Sequence, residues 1–531
     1  MMKNRLLVAA ATTTSLLALI GAAYAGPATA DSAATSSSCT LKAGPTLTGN
    51  PSAPVGKVRG TGEGPAVVKA VRSNGRWLLD RQGRVVILHG TNQIRKLPPY
   101  TPSSIGFGAD DVAAMARAGF NTVRLGLIWK GLEPTPGHYD RAYLADLAGT
   151  VKLFTDRKIN VVFDFHQDMY NEAFNGEGLP DWAVRSDGLP TVPNCGFPLN
   201  NFVMPALQRA WDHFWANDVI DSRGRRVQTA FADMWTLVAK QFRDDPYVVG
   251  YDIFNEPFPG SLYALCLTPL GCPQDRTLER CERSVMAAIR TVDPHTTLYY
   301  EPWVTFGSGG GTSMGDPGTG SSGFSFHDYC VTGLTGLGPN TPVLAQLCDQ
   351  VFEPIPLSSA AQRARKGLGA PLLSEYGAVQ DVPVIERTAN AADKYLTSWQ
   401  SWAWFNEDPS GKRLNEGIVK DPAKPPTGAN LNKPLLDALT RPYPQAVAGT
   451  PTSFGYVPES GVFTLRYSTA RVGGGRFPAG SRTVVAVPTE DYPKGAVVRV
   501  AGGRVASLSG QVLIVTSSPG ATSVTVTVRR R

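Results

Sequence analysis

The feature that most constrains this chain is a repeated alternation of strand-like and helix-like segments through its middle. Apolar runs of strand length occur at Val85-Val86-Ile87-Leu88, Asn121-Thr122-Val123-Arg124-Leu125 and Val161-Val162-Phe163-Asp164-Phe165. They continue at Val248 to Phe254, Thr297 to Tyr300, Phe324 to Phe326, Pro371 to Leu373 and Trp402 to Phe405. Helical patterns lie between them, such as Asp110 to Ala118 and Arg141 to Arg157. Eight strand candidates alternating with helices predict an α/β fold, a (β/α)8 TIM barrel enlarged by long loops. An open doubly wound sheet is the competitor, but no glycine-rich phosphate loop follows the first strand.

Ahead of the barrel, Val67 to Leu79 and Arg84 to Leu88 read as two strands joined at Asp80-Arg81-Gln82-Gly83. After Tyr443-Pro444 the texture changes to short alternating segments separated by Gly, Pro and Ser. Phe463 to Tyr467, Thr483 to Val487, Val497 to Val500 and Val524 to Val528 are four of them. They predict a C-terminal β-sandwich domain. The expected divisions are 1–25 for a signal peptide, 26–65 for a linker rich in Ala, Ser, Thr, Gly and Pro, 66–445 for the barrel and 446–531 for the sandwich.

The signal peptide reading rests on Lys3 and Arg5 ahead of an apolar run from Leu6 to Ala25, with small-residue cleavage patterns at Ala23-Tyr24-Ala25 and Ala28-Thr29-Ala30. An uncleaved anchor is the alternative. Export predicts an extracellular protein whose seven cysteines meet an oxidising compartment, so loop-stapling disulfides are expected. Zinc fits them less well, because no CxxC pair and no His at ligand spacing accompanies them. With 42% hydrophobic and 18% charged residues and a mean hydropathy of −0.12, the chain is neither disordered nor a polytopic membrane protein. The formal charge of +7 reads as spread along the chain, with no basic tract beyond the last three arginines. Nucleic acid is therefore not an expected partner.

Chemistry in a barrel of this kind collects where strands end at the C-terminal face. The fourth strand ends in Asn255-Glu256-Pro257 and the seventh in Ser374-Glu375-Tyr376-Gly377. Two carboxylates facing each other across one mouth suit glycosidic cleavage, where one protonates the leaving oxygen and the other attacks the anomeric carbon. The plainer alternative is that either Glu only closes a strand-end salt bridge. His166-x-Asp168 raises a metal, but His89, His138, His213, His295 and His327 show no ligand cluster, so no metal and no cofactor are expected. Gly307 to Gly323 lacks the ending of a phosphate loop and reads as a flexible loop beside the mouth.

Asn255-Glu256-Pro257, Ser374-Glu375-Tyr376-Gly377 and Arg124 resemble the clan of retaining (β/α)8 glycoside hydrolases that includes cellulases. Phe165-His166-Gln167-Asp168-Met169-Tyr170, Asn255-Glu256-Pro257-Phe258 and Arg441 to Thr450 more closely resemble the endoglycoceramidases of actinobacteria, which release intact glycans from glycosphingolipids. The resemblance runs from about Val67 to the end. It implies Glu256 as general acid/base, Glu375 as nucleophile, and Asn255 on the 2-hydroxyl of the sugar. It further implies that Tyr329 donates to Glu375, that Arg124 stabilises the same carboxylate, and that Lys96, His166 and Asp168 bind sugar hydroxyls. Trp404 would be the apolar floor under the sugar. Because Trp402 and Trp404 alternate, only one of the two is expected to face inward.

Three departures stand out: Ser374 where the family commonly has Gly, His327-Asp328-Tyr329-Cys330 on strand six, and an early Lys96. They bear on the glycan preferred rather than on the reaction. The resemblance implies a glycolipid substrate; transient contact with a membrane or micelle surface, and a monomer, are expected alongside it. An ordinary polysaccharide or aryl β-glycosidase is the nearest competing function, and a non-catalytic sugar- or lipid-binding protein the more distant one. The uncharged stretch from Pro257 to Leu270 sits on the leaving-group side of Glu256. It is expected either to pack on the barrel, pinned by Cys266, or to expose Leu262, Leu265, Leu267 or Leu270 to lipid.

Overall fold

The computed structural model describes residues 69–531 except 222–223, 269–270, 319, 330–353, 408–410, 412–413 and 415. The expected signal peptide and linker, with Cys39, Cys330, Cys348 and Leu270, lie outside the described residues. Three short strands come first: β1 (Val71–Ser73), β2 (Leu78–Asp80) and β3 (Val85–Val86). Eight parallel strands then close a barrel. In order they are β4 (His89–Gln93), β5 (Thr122–Leu127), β6 (Asn160–Phe165), β7 (Val248–Asp252), β8 (Thr297–Tyr300), β9 (Ser322–Asp328), β10 (Ala370–Tyr376) and β11 (Ser398–Ser401). Helices cover the outside. The one at Arg141–Thr155 starts where the Asp140 carboxylate accepts from the Ala142 and Tyr143 backbone N–H groups, and it buries Leu147, Val151 and Phe154.

Three strand expectations need correction. Val67 to Leu79, read as one strand, turns between Ser73 and Leu78, so its described part is the antiparallel pair β1 and β2. Val85–Val86, read as the opening barrel strand, instead pairs antiparallel with β12 (Tyr443–Val447) in the second domain. The alternation of strand faces explains it: Val85 and Ile87 enter the sandwich core, while Val86 and Leu88 pack against Val162, Val249 and Leu372 under the barrel. At the other end the eighth strand is Ser398–Ser401, not Trp402 to Phe405. Its polar side chains are paired inside the barrel, Ser398 accepting from Leu88 N at 3.0 Å and Gln400 donating to Thr122 Oγ1 at 2.9 Å. Trp402 to Phe405 therefore follow the strand, at the mouth.

The C-terminal strands are β13 (Thr450–Val457), β14 (Val462–Ser468), β15 (Arg482–Ala486), β16 (Ala496–Ala501), β17 (Gly503–Ser509), β18 (Val512–Ser517) and β19 (Ser523–Arg530). They form two layers. One sheet runs β1-β2-β3-β12-β15-β18-β17 and the other β13-β14-β19-β16. By pairing, the strands before His89 belong with the sandwich. Between the layers lies a core that includes Phe454, Phe463, Leu465, Val485, Val515, Val526 and Val528. The joint to the barrel is built on His89, whose ring lies between Trp399 and Tyr443 at centroid distances of 4.0 and 3.8 Å. Burial lowers the pKa of this imidazole, opposed by Asp393 at 3.2 Å, which also meets Arg441.

Candidate active site

The barrel brings the functional side chains to one end, and Arg124 organises them. It stands on β5 and is wholly buried. Its guanidinium donates to Asp164 Oδ1 at 2.8 Å, Asp252 Oδ2 at 2.9 Å, Asn255 Oδ1 at 2.9 Å and Glu375 Oε1. Glu301 Oε2 lies 3.7 Å away. A buried cation facing four acids stays charged, because the carboxylates outweigh the cost of desolvation. Losing it would leave those acids uncompensated.

Glu375 sits at a β-bulge in β10. Leu373 pairs with Phe326 and Glu375 with His327, so Ser374 is the extra residue. The departure at Ser374 falls on this bulge; its Oγ donates to Phe326 O at 3.2 Å and its own carbonyl accepts from Asn92 at 2.8 Å. Glu375 Oε2 accepts from the Tyr329 hydroxyl at 2.8 Å. The resemblance placed Tyr329 and Arg124 on this carboxylate, and both meet it.

Glu256 follows β7 in a left-handed backbone conformation, with φ of 44°. Its peptide is held from three sides. Glu301 Oε1 accepts from its N–H at 2.9 Å, and Gln167 Nε2 donates to its carbonyl at 3.0 Å and to that of Asn255 at 2.9 Å. Glu301 is in turn fixed through its own N–H by Glu282 at 3.0 Å. The carboxylate bonds His327 Nδ1 at 2.7 Å, and His327 Nδ1 is also 3.5 Å from Glu375 Oε2. Oxygens of Glu256 and Glu375 lie within 4.8 Å of each other. Burial raises both pKa values, Glu256 to about 8 with Asp168 and Asp164 adding, and Glu375 to about 7 with His327 and Arg124 opposing. Arg124 and the Tyr329 hydroxyl both donate to Glu375, which favours the charge on Glu375 and leaves a proton shared by the pair to Glu256.

A second cluster lies beside this pair. His166 Nδ1 donates to Asp164 Oδ2 at 2.8 Å, the carboxylate assigning the proton to that nitrogen, so Nε2 faces Asp168 and Glu177 as an acceptor at 3.9 Å from each. Burial keeps this imidazole neutral. Lys96 pairs with Asp168, lies 3.6 Å from Glu177, and sits 4.7 Å over the Trp402 ring. One ammonium balances one carboxylate, so burial and Asp168 push Glu177 well above the usual carboxylate range. The early position of Lys96 thus still delivers it to Asp168. Among the described residues three His/carboxylate trios are close enough to share an ion; Arg124 occupies one and Lys96 another, while the third is Glu256, His327 and Glu375.

Trp404 is corrected. It is 0% exposed and its indole donates to Asp111 at 2.9 Å on the helix Ala109–Arg117, outside the barrel. Trp402, 6% exposed, supplies the aromatic wall instead, stacked 5.3 Å from His166 at an interplanar angle of 15°. Glu177, Glu301 and Gln167 were not singled out from sequence as site residues. Gln167 lay inside a quoted motif; for Glu301 the signal was its place right after the fifth strand.

The rim on the Glu256 side is apolar. Gly260–Cys266 forms a short helix closed by a Cys266–Cys272 disulfide, while Cys195 and Cys281 have no disulfide partner among the described residues. Both expectations for this stretch hold in part: Phe258 and Cys266 are buried, whereas Leu262 and Leu265 are exposed. Phe202 packs on Phe258 and Tyr263, joining this rim to a neighbouring loop that exposes Leu199 and Phe197, the latter 6.0 Å from Lys96 Nζ. The start of the glycine-rich segment is tied to this rim, Gly311 N bonding Thr268 O at 2.9 Å.

The comparisons with known proteins agree with this geometry. Residues 89–408 match the cellulase (glycosyl hydrolase family 5) domain, and residues 441–528 the glycoside hydrolase family 5 C-terminal domain. The chain is 31% identical to endoglycoceramidase I of Rhodococcus hoagii over 87% of its own length and 89% of that protein's. It is 28% identical to an endoglycoceramidase of Cyanea nozakii, over 70% and 76%. Among solved structures, endo-glycoceramidase II from Rhodococcus sp. in complex with ganglioside GM3 superposes with a TM-score of 0.70 at 27% identity, over 86% of this chain and 99% of that one. With its closed barrel, paired strand-end glutamates and matching second domain, the chain belongs to glycoside hydrolase family 5 and is a glycosidase.

Proposed function

We propose that the protein is a secreted, retaining endo-glycosidase that hydrolyses the β-glycosidic bond between an oligosaccharide and ceramide. The observation that carries this reading is the pair Glu256 and Glu375, whose oxygens approach within 4.8 Å and of which only Glu375 receives the Arg124 guanidinium and the Tyr329 hydroxyl. A gap of about 5 Å leaves no room for a water between carboxylate and sugar, which favours double displacement over inversion.

In the first step Glu375 attacks the anomeric carbon while Glu256 gives its proton to the leaving ceramide oxygen. In the second, Glu256 takes a proton from water, which displaces Glu375 from the sugar and restores both groups. Tyr329 and Arg124 hold Glu375 charged, and Glu301 positions Glu256 by its backbone. One Asn255 Nδ2 hydrogen goes to Gln167 O, and the other serves the 2-hydroxyl. Lys96, His166 and Asp168 take further hydroxyls over the Trp402 face. The exposed Leu262, Leu265 and Phe197 receive ceramide or touch the lipid surface.

Thin-layer chromatography after incubation with a ganglioside, lactosylceramide, a 6-linked galactosylceramide and a soluble cellulose derivative tests the reading. Intact glycan and ceramide are expected from at least one glycolipid. Cleavage of the cellulose derivative alone would replace ceramide with a polysaccharide.

A further inference from the structure

The positive charge of this chain, which its sequence reads as evenly spread, is concentrated at one end. Residues 446–531 hold ten Arg or Lys against three acids, a surplus of seven that equals the formal charge of the whole chain, +7. That surplus has a shape. On β19, Val524, Val526 and Val528 bury into the sandwich core, so Thr525, Thr527 and Arg529 face outward. The cross-strand register sets Val497 opposite Arg529, Arg499 opposite Thr527 and Arg466 opposite Thr525 on that outer face.

No strand residue on this face is acidic. Its three arginines are exposed, and among the described residues none of their guanidinium groups has an ion pair or hydrogen bond. Beside them Val457 and Val497 are 51% and 42% exposed. Unpaired guanidinium groups beside water-exposed valines on one sheet face match a surface that offers negative charge above a hydrocarbon layer. The other sheet of the sandwich packs its Leu78 and Val86 under the barrel, so the arginine face lies on the far side of the molecule from the mouth.

We infer that the outer face of the β13-β14-β19-β16 sheet docks the protein on an anionic lipid surface, with the mouth turned away from that surface to meet glycolipid presented by a second membrane or a micelle. This is a second contact, separate from the apolar rim of the active site. Each arginine near such a surface contributes about fivefold in affinity, so the three together contribute about a hundredfold.

Sedimentation with vesicles tests it, comparing pure phosphatidylcholine with a mixture containing phosphatidylglycerol. Heparin serves as a lipid-free polyanion. The protein should bind the phosphatidylglycerol vesicles, release them as NaCl rises from about 0.1 to about 0.5 M, and ignore phosphatidylcholine. Arg466→Gln/Arg499→Gln/Arg529→Gln should bind them about a hundredfold more weakly, with hydrolysis of a soluble aryl glycoside unchanged. Val457→Ser/Val497→Ser should lose several-fold on vesicles and nothing on heparin. Undiminished vesicle binding by the arginine variant would overturn the proposal, as would equal binding of the parent to pure phosphatidylcholine. Valine changes without effect on vesicles would overturn the lipid and make the face a site for soluble polyanions.

Discussion

The mouth of the barrel and the outer sheet of the sandwich both depend on arginine, and they use it in opposite ways. Arg124 is wholly buried and meets Asp164, Asp252, Glu375 and Asn255 at once. Arg466, Arg499 and Arg529 are exposed, with no such partners among the described residues. In the first region charge fixes geometry, and removing it leaves carboxylates stranded in low dielectric. In the second, geometry holds charge outward for something else to meet. Burial, not residue type, decides which role an arginine takes.

The sharpest break is expected at the carboxylates that Arg124 serves. Glu375→Gln should lower turnover of every substrate by on the order of 10⁴-fold or more, with the far-UV spectrum unchanged. Glu256→Gln should fall about 10²–10⁴-fold on glycolipid yet keep most of its rate on an aryl glycoside whose leaving group needs no proton. The pair also sets the pH profile. Activity requires Glu375 charged and Glu256 protonated, so it rises as pH passes the lower of the two values and falls as it passes the higher. Burial places both limbs above the ordinary carboxylate range, with the Glu256 limb on the alkaline side. Glu256→Gln assayed on the aryl glycoside should keep the ascending limb and lose the descending one.

Stability separates the two regions next. Arg124→Met should cost about 3–5 kcal/mol in urea unfolding, because several buried acids lose their counter-charge. Arg466→Gln should stay within about 0.5 kcal/mol. Similar losses would dissolve the contrast. Smaller still is Glu301→Ala, which leaves the Glu256 N–H without its acceptor. It should lower kcat/KM on glycolipid about ten- to hundredfold and act less on the activated aryl glycoside. Leu262→Ser/Leu265→Ser should raise KM for glycolipid about tenfold and spare the soluble substrate, by loss of apolar contact. Equal effects on both substrates would return that loop to a purely structural role.

Much of this was legible in the sequence because it repeats or sits at a fixed offset from a strand. The alternation gave the barrel, and Glu256 and Glu375 followed from the ends of its fourth and seventh strands. The misreadings have local causes. Val85 to Leu88 is an apolar run that suits a barrel strand and a layer between two domains equally, and only its pairing with β12 decides. Ser398-Trp399-Gln400-Ser401 looks too polar for a buried strand until its partners are seen. Trp402 and Trp404 share one pattern, and Asp111, 293 residues away in sequence, takes the second. Glu301 and Glu177 matter through backbone and charge contacts made across the mouth, which no spacing announces. The arginine face was hidden because its residues are scattered along three strands and meet only through register.

The most direct test of the central claim is proton NMR of the sugar first released from lactosylceramide, recorded before mutarotation. Double displacement at Glu375 and Glu256 predicts intact lactose as the β-anomer, with ceramide as the other product. Release of α-lactose, or of galactose or glucose singly, would contradict it.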